Sequence, residues 1–370
     1  MKKAKRNGII SFWKFVFAVV IVLFHTKTYY DNYNIPVFKY GYIACEFFFV
    51  VAGFYFAKQV LKEEYDKKTI GKETFQMIGK KFISFFPYIL ITFLLNMAVK
   101  ILFVRPNLET IANSIWNLFL IREFGFRSPL VLGQLWFLTA MLVSMFIIYP
   151  FLKKHKENFI YIASPLIVLF TLGYLSTMKV GLDFSYVEWA LITKAGILRG
   201  FAEINIGMII YMINEKLKDI KYTKMFRILI TILSHTLLIG VLLITSYINR
   251  SPKYDYILLL MISIAVLIMV SEKTVDYDWF ATNCNYYLEK ISLPMYITHV
   301  LFFEIFANVP RLNLLNPIIK STLVLTCTIV FSIILKLIID QTKKHEMLKK
   351  IKERFILEKK QLIKSEAIKW

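Results

Sequence analysis

Acidic side chains are scarce in this 370-residue chain: 25 Asp and Glu stand against 46 Lys and Arg, a formal net charge of +21. Nucleic-acid binding would gather such an excess on one soluble face. Here the basic residues fall instead in short polar breaks between apolar runs, so nucleic acid is not an expected partner. Cysteines number three, Cys45, Cys284 and Cys327, all in or beside apolar stretches. They form no disulfide framework and no metal-ligand spacing, so no metal is expected. No Gly-x-Ser-x-Gly segment occurs, which leaves no serine-nucleophile elbow. No long-period repeat, low-complexity tract or second soluble domain is visible. The first apolar run is followed by HTKTYYDNY rather than a small-residue cleavage site, and reads as an uncleaved signal anchor.

What the chain has in abundance is apolar sequence, 57% of its residues. Runs long enough for membrane helices recur along the whole length, at roughly 9–25, 40–57, 82–103, 134–152, 158–175, 196–213, 227–247, 255–271, 289–306 and 317–339. With the N-terminus inside, the cytoplasmic breaks and termini hold 31 Lys and Arg and the outer breaks hold 10. This bias predicts an all-α, polytopic integral protein of the plasma membrane, with about ten transmembrane helices and both termini cytoplasmic. The expected division is a membrane domain over 1–340 and a basic cytoplasmic tail over 341–370. In the tail Met347, Ile351 and Phe355 recur at i, i+4 among lysines, as in a helix lying on the inner leaflet or simply in a solvated one.

A charge at the bilayer centre costs at least ~2.5 kcal/mol, so ionisable residues inside apolar runs are candidates for function. Lys14 and His25 stand eleven residues apart in the first run. That spacing puts both on one helix face, roughly 16 Å apart along the axis. They suit the two ends of one long ligand, or else snorkelling to opposite interfaces. Glu46 is the sole ionisable side chain of the second run, at a depth similar to His25, and a carboxylate there can orient an imidazole or serve as a structural carboxyl. Arg199 and Glu203 are i, i+4 in the sixth run and can pair along the helix. Ser292, Tyr296 and His299 share a face of the ninth run, which Pro294 interrupts. Lys80 and Lys81 form a basic rim on the third run, suited to phosphate or to plain inside-positive charge. The long outer break over 104–133, with Arg105, Asn107, Glu109, Asn113, Trp116, Arg122, Glu123 and Arg127, leads into Gln134 and Trp136. That mixture of amides, charges and aromatics suits a sugar-like ligand, although aromatics also belong at interfaces.

These segments, in this order, resemble acyltransferase family 3, membrane acyltransferases that decorate extracytoplasmic glycans. The family's Arg, ten residues, His pattern is matched by Lys14 and His25. Its second-helix motif is matched by Glu46-Phe-Phe-Phe-Val-Val-Ala-Gly53-Phe54. Leu135–Leu138 supply its LWFL, Arg199, Glu203 and Gly207 its sixth-helix motif, and Ser292, Pro294, Tyr296 and His299 its ninth. Two positions depart from the pattern. Lys14 keeps the charge of the family arginine but not its fork, and Ser84 stands where the last arginine of the Lys80–Lys81 rim belongs.

The resemblance implies transfer of an acyl group, acetyl above all, from cytoplasmic acyl-CoA to a hydroxyl of a capsular, exo- or cell-wall polysaccharide. It implies that Lys14, Lys80 and Lys81 bind the CoA co-substrate and that His25, oriented by Glu46, acts as general base or forms an acyl-histidine. Gln134, Trp136, Arg199, Glu203, Ser292, Tyr296 and His299 would contact substrate. The expected partners are the bilayer, acyl-CoA and a glycan or lipid-linked glycan acceptor. The competing reading is a transporter or flippase for a lipid-linked glycan or small anion, which needs the same helices and buried charges but no thioester.

Overall fold

The structure, a computed structural model, describes residues 7–30, 38–62, 66–126, 132–178, 181–183, 188–190, 192–247, 251–283 and 287–367. Cys284 and Arg127 lie outside these residues. Ten apolar helices dominate: α1 (Gly8–His25), α2 (Ala44–Val60), α3 (Ile70–Phe103), α4 (Trp136–Lys154), α5 (Ser164–Thr177), α6 (Ala195–Leu217), α7 (Lys224–Tyr247), α8 (Asp255–Val270), α9 (Tyr287–Asn308) and α10 (Pro317–Ala367). Among the described residues the only strands are a two-residue antiparallel pair, Trp189–Ala190 with Thr193–Lys194.

Among the described residues nine helical spans are long and apolar enough to cross a membrane, α2 together with the turn before it (Gly41–Val60) and α5 together with the turns before it (Lys156–Thr177), so the expected all-α membrane architecture holds. The expected tenth, α8, is shorter at 16 residues. At 1.5 Å per residue it spans about 24 Å, less than the hydrocarbon core. Its limits have local causes. Asp255 at its start is buried and accepts hydrogen bonds from Tyr42 (3.0 Å) and the Leu182 amide (3.3 Å). Just past its end, Glu272 adopts a left-handed backbone, φ 61°, which ends helical hydrogen bonding.

Capping and close approach fix the helices around the site. Asn7 accepts a hydrogen bond from the Ile10 amide at the start of α1 and donates one to the Met269 carbonyl of α8. Helices α2 and α6 cross where glycine faces backbone: a Cβ on Gly53 would sit 2.1 Å from the Ile204 carbonyl oxygen, and one on Gly207 2.1 Å from that of Val50. No larger residue permits that approach. Helix α3 is longer than its apolar stretch because it starts at Ile70, three turns before Phe82, and so carries the Lys80–Lys81 rim on helix. Pro87 and Pro294 lie inside α3 and α9 without ending them. Helices α1, α2, α4, α6 and α9 are the better-buried members of the bundle, whereas α5, α7 and α10 expose mostly apolar side chains, as a lipid-facing layer does. Helix α10 continues unbroken through the expected boundary at 340, but the tail side chains that would form the Met347, Ile351 and Phe355 stripe lie outside the described residues.

Candidate active site

Three cavities lie end to end in the bundle. The one at the His25 end, outer on the expected orientation, is about 410 Å³ and is lined by His25, Tyr42, Gln134, Trp136, Arg199 and Tyr296, among others. The middle one, about 380 Å³, is lined by Lys14, Tyr55, Lys81, Glu289, Ser292 and Tyr296 within largely apolar walls. The innermost, about 330 Å³, is lined by Gln59, Gln76, Lys80, Lys81, Ser84 and Tyr149. Tyr296 belongs to both the outer and middle walls, and Gln59 and Lys81 to both the middle and inner walls.

Helix α1 is continuous from Lys14 to His25, which sets these two residues at opposite ends of the outer and middle cavities. The Lys14 ammonium forms an ion pair with Glu289 at 3.3 Å and lies 5.4 Å from the centre of the Tyr55 ring. Glu289, Ser292 and Tyr296 follow one another at i, i+3 and i+7 on α9, so Glu289 extends the polar face expected for that helix. That spacing was the signal for a residue that sequence reasoning passed over. Lys80 is exposed and reaches only the inner cavity, while Lys81 is half-buried and reaches two.

Glu46 does not orient His25. Its carboxylate is fully buried and pairs with Arg199 Nη2. The Gly53–Gly207 crossing brings α2 onto α6, and a guanidinium there holds a carboxylate more strongly than a neutral ring does. Arg199 Nε also donates to Glu203 Oε1 (3.3 Å), Nη1 to the Leu182 carbonyl (2.8 Å) and Nη2 to the Tyr42 carbonyl (3.2 Å). The guanidinium lies 5.2 Å from the centre of the Trp136 ring. Thus one cation is shared by two buried carboxylates, and the expected Arg199–Glu203 pair is part of a larger centre. Among the described residues Glu46 Oε1 and Glu203 Oε2 are buried without hydrogen-bond partners. Arg199 and Trp136 still line the outer cavity; Glu203 does not.

His25 meets another histidine instead. Its ring centre lies 4.8 Å from that of His299, and His25 lines the outer cavity with no side-chain hydrogen bond among the described residues. His299 is buried behind it and donates Nδ1–H to the Tyr296 carbonyl at 2.8 Å. The Tyr296 hydroxyl donates to the Gln134 carbonyl, and the Gln134 amide donates to the Ile297 carbonyl at 2.9 Å. These two bonds lash α9 to the start of α4. Ser292, expected beside the outer group, lies one turn away from it and lines the middle cavity, its hydroxyl donating to the Leu288 carbonyl.

Among the described residues, the 104–133 break contributes only Gly133 to the outer cavity lining. Its Glu123 is buried and pairs with Arg122 (3.5 Å) and Lys194 (3.7 Å). Burial pushes that carboxyl above its usual range despite both cations.

No curated protein and no solved structure matches the chain. The sequence model of acyltransferase family 3, described as an acyltransferase domain, matches residues 7–339, a span holding every cavity-lining residue named above. The chain therefore belongs to that family of membrane acyltransferases.

Proposed function

We propose that the protein transfers an acyl group, acetyl in the first instance, from cytoplasmic acyl-CoA to a hydroxyl of an extracytoplasmic glycan, in a plasma membrane with both termini inside. The observation that carries this reading is the line of three abutting cavities, with lysines at one end and a histidine at the other. Lys80, Lys81 and Lys14 suit the phosphates of a CoA donor, and Lys14 is kept in place by Glu289. The apolar middle walls suit the thioester arm. Gln134 and Trp136 present an amide and an aromatic ring, the usual partners of sugar, to the outer space.

His25 is the general base. It takes the proton from the acceptor hydroxyl as that oxygen bonds to the thioester carbonyl carbon. The carbon–sulfur bond then breaks, the electron pair leaves on sulfur, and the proton passes from His25 to give the free thiol. The Arg199–Glu46–Glu203 centre reaches the outer cavity through Arg199 alone and serves to hold the cavity wall.

The test is purified protein in detergent with acetyl-CoA and a polysaccharide acceptor, read by mass spectrometry of the acceptor and by thiol release. The parent protein acylates the glycan, and His25→Ala loses roughly 100-fold or more of that rate. Equal transfer by His25→Ala would remove the base role. No thiol release from the parent, with substrate crossing liposomes instead, would favour transport.

A further inference from the structure

The site contains a second histidine whose chemistry nothing so far uses. His299 sits on α9 against the end of α1, almost fully buried. Its Nδ1 lies 2.8 Å from the Tyr296 carbonyl oxygen. A carbonyl only accepts, so Nδ1 must carry the proton, and the neutral ring then leaves a lone pair on Nε2. That Nε2 is buried and has no hydrogen-bond partner among the described residues. A backbone carbonyl therefore fixes the tautomer and leaves an unused acceptor on a ring packed against His25. The two rings are 4.8 Å apart between centres and inclined by 35°. With the His299 ring held by the Tyr296 carbonyl, the motion that pairs them is a turn of the His25 ring that carries one of its N–H groups to that lone pair.

His25 needs such a partner. A histidine acting as base gains a proton on one nitrogen and carries N–H on the other, and that second N–H requires an acceptor to hold the ring and spread the charge. Glu46 was the carboxylate expected there, and it is committed to Arg199. The charged groups facing the histidine pair are Lys27, Asp183, Arg199 and Glu304 around the outer cavity. Glu304 is paired with Lys100 at 3.3 Å and Arg199 with two carboxylates.

We infer that His299 is the positioning residue of the reaction: its Nε2 accepts the hydrogen bond from His25 when His25 takes the acceptor's proton. The inference deepens the acyltransferase reading and rests on it for the catalytic part, but the pairing itself can be read without turnover. The variants are His299→Leu, which fills the space without an acceptor, and His299→Gln, whose side-chain carbonyl can accept. Two measurements are made on detergent-purified full chains that keep the parent's gel-filtration profile.

The first measurement is the pH dependence of His25 carbethoxylation, followed by peptide mass spectrometry. Its midpoint moves in His299→Leu and returns toward the parent in His299→Gln. Coincident curves for parent and both variants overturn the pairing, whether or not the protein transfers acyl groups. The second is acyl transfer with acetyl-CoA. Here His299→Leu loses about 10- to 100-fold in kcat with KM for acetyl-CoA unchanged, and His299→Gln recovers part of it. A loss confined to KM, or a glutamine variant no better than leucine in both measurements, assigns His299 to packing alone. If the parent releases no thiol at all while the carbethoxylation midpoint still moves, the acyltransferase reading fails and the histidine pair stands.

Discussion

Arg199 ties several parts of the bundle together. It is buried, joins α6 to α2 through Glu46 and reaches the backbone carbonyls of Leu182 and Tyr42. Removing it strands two carboxylates in a dry interior, so Arg199→Met costs about 3–5 kcal/mol of stability. Glu203→Gln leaves Arg199 facing Glu46 and keeps an acceptor for Nε, so it costs about 1 kcal/mol or less. Thermal unfolding in detergent ranks the two, and equal destabilisation would mean that the centre is not organised by the arginine. Arg199→Lys falls near the methionine variant, because one ammonium cannot reproduce the fork that meets Glu46, Glu203 and two carbonyls together.

Helix α7 is tied to the bundle by a relay of three groups. The Trp13 indole of α1 donates to His235 Nδ1 at 3.2 Å, and His235 Nε2–H donates to Asp276 at 2.7 Å, in the segment after α8. Burial alone would raise the Asp276 carboxyl; the His235 bond, the Thr274 side chain and the His235 charge together outweigh it and hold the group below its ordinary 3.8. A lowered carboxylate contributes stability above its unfolded pKa and loses it as pH falls through the folded one. Asp276→Asn therefore lowers stability by about 1 kcal/mol at pH 7, discounted for partial exposure. The gap between variant and parent closes as pH drops below 3.8. Melting curves at pH 7 and pH 3 check this, and a gap that widens on acidification would contradict the relay. None of this relay was legible in the sequence, because its members lie 222 and 41 residues apart and share no periodic pattern. What was legible followed from period and spacing. The apolar runs gave the helices, and spacing put Lys14 and His25 on one stretch of α1, where they line neighbouring cavities; of the Ser292–Tyr296–His299 face, Ser292 and Tyr296 line cavity walls and His299 is buried. Partner choice was not. Glu46 could be placed at the depth of His25, but depth does not say which neighbour the α2 face meets. Two glycines at the α2–α6 crossing decided in favour of Arg199.

At the scale of the bundle, the cavities form one line, and among the described residues Tyr296 is the side chain shared by the outer and middle walls. Its ring stands edge-on to Phe137, 5.4 Å between centres, and its hydroxyl is tied to the Gln134 carbonyl. It is the wall that a group passing from the middle cavity to His25 must clear. On the proposed reading the middle cavity receives the thioester arm, so this wall limits how much acyl chain lies beside His25. Tyr296→Ala joins the two spaces without touching the backbone carbonyl that fixes the His299 tautomer. Each methylene then accommodated is worth about 0.8 kcal/mol, or about fourfold in kcat/KM per carbon. The alanine variant thus gains on acyl-CoAs longer than acetyl, relative to the parent, until the joined volume is filled. Tyr296→Phe keeps the ring and loses only the hydroxyl bond, so its chain-length profile follows the parent at reduced rate. Transfer rates across a series of straight-chain acyl-CoAs provide the measurement. Parallel profiles for alanine, phenylalanine and parent would show that chain length is set elsewhere along the line of cavities.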